Sequence, residues 1–344
     1  MRPLSISILT DGRPGHYHLA EGVAAAIARR RPVTVTMVPV MRRRLMPGRV
    51  TAALLKRGVS PATIMWLSGG PKLDSLRGTD IVISAGGDTL VANAAVASGL
   101  GIPGIFCGTL RHLPPQSFSL VVSSYARHAG LARHLVTLKP NGMDPDKLAA
   151  ERPSPDGRDQ GRPRIAGLLI GGDSGLFKYS EDEWRRLIEF LDRSHERLGT
   201  RWIVSTSRRS PDHVANALVA VAARKVGPIA ELIDFRSAGP GTLPRLLSRV
   251  EAVLCTEDSS TMLSEAVCAR LPVVGVAPVI HSFKDDEREY RAFMQGEGWC
   301  RFVSLADLTP ERFADALSEV RPLAENHLDR LADQLAAHLP QLFG

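Results

Sequence analysis

The sequence predicts an α/β protein built from two doubly wound halves with a linker between them. Three observations carry that expectation. The chain has 344 residues, more than one hydrophobic core sustains, since single cores stop growing near ~250–300 residues. Short β-branched runs alternate with helical stretches on both sides of the middle, and parallel neighbours need such crossovers. Between residues 140 and 164 the rhythm breaks into Pro, Gly, Asp and Arg with almost no apolar residues, a composition that cannot bury a core.

The elements follow in order. Residues 4–9 (LSISIL) read as a strand, a polar loop follows, and 18–30 have helical spacing. Then come a strand at 33–38, a basic helix-like segment, a strand at 81–84, an Ala-rich helix at 90–98 and strands at 102–106 and 120–123. Beyond the linker the rhythm resumes with strands at 165–170, 202–205, 229–234, 252–255 and 273–276. Helices are expected between them at 181–198, 212–225, 242–248 and 259–270. Two Rossmann-like halves are the economical reading. A last segment, 322–340, sets Leu323, Leu328, Leu331, Leu335 and Leu339 on one helical face, which calls for a partner surface on the first half. The expected boundaries are 1–150 for the first domain, 151–164 for the linker, 165–321 for the second domain and 322–344 for the returning helix.

Composition narrows the function. An apolar fraction of 44% with 23% charged residues excludes a disordered chain. No stretch approaches the ~20 apolar residues of a membrane-spanning helix, and no secretory leader opens the chain, so the expected location is the cytoplasm. Cys107, Cys255, Cys268 and Cys300 are widely spaced and mostly inside apolar runs, which indicates neither a metal site nor a disulfide framework. Through residue 150 there are 18 basic against 7 acidic residues, a net of +11, while the remainder nets −4. Runs such as Arg29-Arg30-Arg31 and Arg42-Arg43-Arg44 are solvated faces or attract anionic lipid. Nucleic acid is disfavoured, because aromatics make up only 5% and no recognised motif accompanies the charge.

Ligands of open α/β sheets bind at the carboxyl ends of strands, so the loops there are where chemistry is sought. Asp11, Gly12, Arg13, Pro14, Gly15 and His16 follow the first strand. The glycines let backbone approach a ligand, Arg13 offers a fork of donors for phosphate, and Asp11 or His16 can accept a proton. Gly86, Gly87 and Asp88 precede a helix and make an anion-friendly turn, or Asp88 is an N-cap. Gly171, Gly172, Asp173, Ser174 and Gly175 form a phosphate cradle after a strong strand. It lacks the Walker lysine and the G-x-G-x-x-G order, which disfavours ATP hydrolysis and NAD binding. Ser207, Arg208 and Arg209 add hydroxyl and guanidinium groups at the next strand end. In the fourth loop Glu257, Asp258, Ser259, Ser260 and Met262 precede Glu265 by up to two helical turns, placing carboxylates at two heights for ribose or sugar hydroxyls. The plainer account of that loop is a serine N-cap with dipole-stabilising acids.

These strings, D-G-R-P-G-H, G-G-D-S, T-S-R-R-S-P and T-E-D-S-S-T-M-L-S-E-A, span both halves in order. With them the chain resembles the mitochondrial fission ELM-type family, whose bacterial members are regarded as GT-B glycosyltransferases. More distantly it is similar to the transferases that add N-acetylglucosamine to lipid I. The resemblance implies a GT-B architecture, two Rossmann-like domains facing a central cleft, with the C-terminal helix crossing back to the first domain. It implies His16 as the base towards the acceptor, Gly171, Gly172 and Ser174 at a diphosphate, and Glu265 on the ribose. The spacing of Glu257 and Glu265 resembles the Glu-x7-Glu pattern of retaining enzymes; the two likenesses disagree on stereochemistry, which stays open. Asp173 interrupts the Gly-Gly-Ser order, and His18 stands where the family more often has glutamine.

The expected function is metal-independent transfer of a sugar from a nucleotide diphosphate sugar, with no further cofactor, to a glycan or lipid-linked acceptor. The donor would lie on the second half and the acceptor, with an anionic membrane surface as a further partner, on the first. A nucleotide-sugar epimerase of the same fold and a non-catalytic membrane-associated scaffold are the alternatives.

Overall fold

The structure, a computed structural model, describes residues 2–41, 46–152 and 161–344. Arg42, Arg43 and Arg44 and most of the expected linker lie outside the described residues. The chain divides into two compact units, Met1–Gly142 with His327–Gly344, and Met143–Asn326.

The first unit runs β1 (Leu4–Thr10), α1 (Pro14–Ala28), β2 (Val33–Pro39), α2 (Gly48–Lys56), α3 (Pro61–Leu67), β3 (Ile81–Ala85), α4 (Leu90–Leu100), β4 (Gly104–Cys107), β5 (Leu120–Ser123) and β6 (His134–Val136). All strands pair in parallel in the order β2-β1-β3-β4-β5-β6. β3, β4 and β5 are buried along their whole length, as strands covered on both faces must be. The order reverses between β1 and β3, so the loops after these two strands flank the switch point. Helix α1 starts at Pro14, four residues before the expected start, because proline at the first position presets the helical φ and has no N–H to orphan. Gly15 and His16 therefore belong to a helical turn and not to a loop.

The second unit continues with α5 (Pro145–Glu151), β7 (Ile165–Leu169), β8 (Phe177–Lys178), α6 (Glu181–Leu198), β9 (Arg201–Ser205), α7 (Asp212–Ala222), β10 (Ile229–Ile233), α8 (Phe235–Ala238), α9 (Leu243–Leu247), β11 (Ala252–Thr256), α10 (Ser260–Cys268), β12 (Val273–Ala277), β13 (Ile280–His281), α11 (Asp285–Gly296), β14 (Cys300–Ser304) and α12 (Pro310–Ser318). Its main sheet is parallel in the order β10-β9-β7-β11-β12-β14, with the reversal between β7 and β11. β8 and β13 form a separate antiparallel pair. The expected helix–strand pattern ended at residue 276, whereas α11, β14 and α12 complete the unit. Trp202, Phe190 and Phe313 meet at centroid distances of 5.5–5.6 Å in its core.

The last helix, α13 (His327–His338), belongs to the first unit. Leu328, Leu331, Leu335 and Leu339 pack on Ala20, Val23, Ala24 and Ile27 of α1 in one buried cluster. Each buried leucine stabilises by about 1.5–3 kcal/mol before entropic costs. Leu323, expected on the same face, precedes the helix. Arg29 donates to both oxygens of Asp329 at 2.7 and 2.9 Å, Arg30 pairs with Asp333, and Arg31 donates to the Leu342 carbonyl at 2.9 Å. The first arginine run thus holds the returning C-terminal segment: Arg29 and Arg30 stay solvent-exposed, as the expected solvated face requires, while pairing with two aspartates, and Arg31 binds a carbonyl.

Candidate functional site

Three strand ends meet at the switch point of the second unit. After β7 the Gly171 N–H donates to Thr256 Oγ1 at 2.7 Å, and the Gly172 N–H donates to Asp258 at 3.2 Å. A Cβ on Gly171 would collide with the Asp258 carboxylate, and one on Gly172 with the Arg209 carbonyl. From β9, Ser207 and Ser210 hydroxyls donate to the Gly171 carbonyl at 3.2 and 2.8 Å. Asp258, its side chain fully buried, pairs with Arg209 at 2.5 Å and accepts from the Tyr179 hydroxyl at 3.3 Å. Burial raises the Asp258 pKa, and the Arg209 charge and the hydrogen bonds from Thr256, Gly172 and Tyr179 oppose the rise. Burial, and then Asp258 itself, push the Tyr179 phenol well above its ordinary range, so it remains a donor.

This geometry corrects one sequence expectation. The N–H groups of Gly171 and Gly172 are already bonded within the protein, and Ser174 N–H donates to the Phe177 carbonyl at 3.1 Å, so the loop is a packed corner and not an open phosphate cradle. β8 follows the loop, and Ser180 is the N-cap of α6, which starts where the sequence places it. Asp173 caps no helix; it accepts from the Tyr179 N–H at 3.0 Å and from Lys178 at 3.2 Å, and that backbone bond lowers its pKa. Arg208 is exposed, while Arg209 turns inward to Asp258.

After β11, Ser259 caps α10 by accepting from the Met262 N–H at 3.4 Å, so the serine-cap account of this loop holds alongside any ligand role. Glu257 is buried and bound by Arg291, whose Nε donates at 3.1 Å and whose Nη2 donates to the Glu257 carbonyl at 2.6 Å. Burial raises the Glu257 carboxyl to about 7, and Arg291 offsets part of the rise; both side chains line one pocket with His281, Phe283 and Arg288. Glu265 is 9% exposed and burial pushes it up to about 7. Asp258, Glu257 and Glu265 all lie within electrostatic reach of the Cys255 thiol, which burial and then these carboxylates push up. Ser260 and Met262 occupy the first turn of α10.

The first unit has its own cluster at its switch point. Asp11, with a side chain 5% exposed, holds His16 Nδ1 at 2.7 Å. A carboxylate on Nδ1 keeps the proton there and leaves Nε2 as the basic nitrogen. Asp11 also accepts from the Arg13 N–H at 3.1 Å, and the Arg13 guanidinium lies 3.9 Å from Asp11 and 3.7 Å from Asp88. Gly86, at φ +87°, passes so close to the His16 ring that a Cβ would strike it, whereas Gly15 and Gly87 leave that space open. Asp88 does not cap α4; Thr89 is the N-cap, and its hydroxyl turns back to the Ala85 carbonyl at 2.8 Å. Asp11, Arg13, His16, Gly86 and Asp88 are thus brought together, as Gly171, Gly172, Ser207, Arg209 and Asp258 are in the second unit.

Sequence reasoning missed Tyr179, Glu183, Ser210 and Arg291. Ser180 and Glu183 could have been found, since S-x-x-E ahead of an apolar run is a capping box. Ser210 stood inside a string already singled out. Arg291 carries no local signal, because its partner Glu257 lies 34 positions away. Among the described residues no group of His, Cys, Asp and Glu is arranged to hold a metal, and no helix is long and apolar enough to cross a membrane.

Two parallel doubly wound units with a returning C-terminal helix define the GT-B class, which glycosyltransferases and sugar-nucleotide epimerases share. The chain is similar in structure to the UDP-GlcNAc 2-epimerase of Methanocaldococcus jannaschii (TM-score 0.55, 13% identity, 99% of this chain and 100% of that one). It is similar to MurG of Acinetobacter baumannii (TM-score 0.52, 14% identity, 97% and 100%). A UDP-glucosyltransferase of Polygonum tinctorium, capable of glucosylating indoxyl, also matches (TM-score 0.52, 11% identity, 98% and 98%). At such identities the likeness shows the fold alone. No curated protein sequence matches the chain. The mitochondrial fission ELM1 family matches over residues 14–339, and the chain belongs to that family.

Proposed function

We propose that this protein is a glycosyltransferase that holds a nucleotide diphosphate sugar on the second unit. The observation that carries the reading is the convergence of Arg209, Asp258 and the N-terminal turn of α10 at the reversal between β7 and β11, where doubly wound sheets take nucleotides. Arg209, flanked by the exposed Arg208 and the Ser207 hydroxyl, meets the diphosphate, and the α10 dipole adds to it. Glu265 accepts from the ribose hydroxyls. Gly171, Gly172 and Ser174 shape the corner on which these groups stand. The same donors stabilise charge growing on the leaving diphosphate, so the reading needs no metal.

On the first unit the Asp11–His16 pair takes the acceptor's hydroxyl proton at Nε2, with Asp11 orienting the ring and stabilising the imidazolium that forms. The acceptor in this reading is a glycan or lipid-linked molecule at the cytoplasmic face of an anionic membrane. Exposed Arg49, Lys56 and Arg57 beside half-exposed Val50 and Trp66 support that surface. Calorimetric titration with nucleotide diphosphates and their sugars tests the donor side: His16→Ala keeps the wild-type affinity and Glu265→Ala loses it. Unchanged affinity in both overturns the assignment. Release of an isomeric nucleotide sugar in the absence of acceptor, in place of free nucleotide, would make the protein an epimerase.

A further inference from the structure

Glu183 sits at the third position of α6 and is 9% exposed. Its Oε2 closes the capping box, accepting from the Ser180 N–H and the Ser180 hydroxyl, each at 2.8 Å. A capping box asks no more of it. Yet Oε1 accepts from the Val279 N–H at 2.6 Å, 96 positions along the chain, in the loop that follows β12. The same loop pairs through β13 with β8, and its Ser282 N–H donates to the Leu176 carbonyl at 2.8 Å. Phe177 on β8 stacks on His281 at 5.8 Å between centroids. One residue ahead of Ser180, Tyr179 reaches Asp258. A path of hydrogen bonds, joined by the Tyr179–Ser180 peptide link, therefore runs from Asp258 to Glu183 and Val279, across the strand ends of β7, β11 and β12.

We infer that Glu183 is a positioning residue, and that the loop it tethers, residues 278–283, forms part of the donor site. β13 is two residues long and pairs with the equally short β8. Such a pair has little stability of its own. A buried carboxylate accepting a backbone N–H is a strong anchor for it. The tether holds the loop whose His281 and Phe283 line a pocket together with Glu257 of the β11 loop and Arg291. His281 and Phe283 are placed to contact the sugar of the donor. The contact with the sugar rests on the glycosyltransferase reading; the tether does not.

Glu183→Gln separates the two bonds. The glutamine oxygen still closes the cap, but its amide meets the Val279 N–H donor to donor. Ser180→Ala is the control, because it removes the capping hydroxyl and leaves Oε1 on Val279. Hydrogen exchange read at Val279 and Ser282, with titration of UDP and a panel of UDP-sugars, tests the inference. Exchange at both amides is expected to accelerate at least tenfold in Glu183→Gln and to stay near wild type in Ser180→Ala. UDP-sugar affinity is expected to fall about tenfold in Glu183→Gln only, with UDP affinity nearly kept. Unchanged exchange in Glu183→Gln overturns the tether. An equal loss of UDP-sugar affinity in both variants, or of UDP and UDP-sugar alike, reduces Glu183 to a capping residue. If wild type binds no nucleotide while exchange accelerates in Glu183→Gln, the tether stands and the donor reading falls.

Discussion

Replacing Glu265 by Gln sets fold stability against ligand binding in a single residue. Burial lifts this carboxyl from 4.5 to about 7. A shift of one pKa unit corresponds to about 1.4 kcal/mol, so charging Glu265 in the fold costs on the order of 3 kcal/mol. The sign follows from proton counting. Between the two values the folded chain keeps a proton that the unfolded chain releases, so stability falls as pH rises through that window. Below pH 4.5 the penalty is absent, and above about 7 it is complete. Glutamine carries no such penalty, so thermal scans at pH 5 and pH 8 should show the variant gaining on wild type only at the higher pH. At about 2–4 °C per kcal/mol for a unit of this size, the gain is roughly 6–12 °C. The same substitution exchanges a charged acceptor for a neutral amide, weakening a nucleotide by about tenfold to a hundredfold in calorimetry at pH 8. A stability difference that does not change with pH refutes the burial argument. Undiminished nucleotide affinity refutes the ribose role.

Other outcomes follow from the same geometry. His16→Ala should leave nucleotide binding intact and slow transfer by about 10²–10⁴-fold, measured as product formed at saturating donor. Gly86→Ala drives a Cβ into the His16 ring at a positive φ, so it should cost about 1–3 kcal/mol in chemical denaturation and lower transfer without weakening the donor. Arg209→Ala strands the buried Asp258 carboxylate; it should weaken nucleotide diphosphates and lower the melting temperature, with Asp258→Asn in the same chain restoring stability but not affinity. Leu331→Ala empties the α1–α13 contact and should cost about 2–5 kcal/mol in urea unfolding, with nucleotide affinity unchanged.

Up to residue 276 the long buried strands were legible from the sequence, because strands covered on both faces carry continuous apolar runs, whereas the short β6, β8 and α5 were missed. Past that point the signal fades for physical reasons. Along α11 only Tyr290, Arg291 and Met294 are buried, and β14 is an edge strand with Arg301 at its second position. The site strings were visible too, but contacts between distant loops were not. Nothing local distinguishes Arg208 from Arg209, although only the second meets Asp258. Nor do the glycines of the β7 corner announce that the Asp258 carboxylate and the Arg209 carbonyl already occupy the space they leave. The charge excess of the first half was real, and two of its arginines, Arg29 and Arg30, meet Asp329 and Asp333 of the returning helix, which nothing local announces.

The central claim is that the second unit grips a nucleotide diphosphate through Arg209 and Glu265. A thermal-shift screen of wild type, Arg209→Ala and Glu265→Ala against uridine, guanosine, cytidine and thymidine diphosphates and their sugars tests it most directly, since a ligand that binds only the folded state raises its melting temperature. The account predicts that at least one nucleotide stabilises wild type and that both substitutions abolish the shift. A screen in which no nucleotide acts, or in which the shift survives both substitutions, contradicts it.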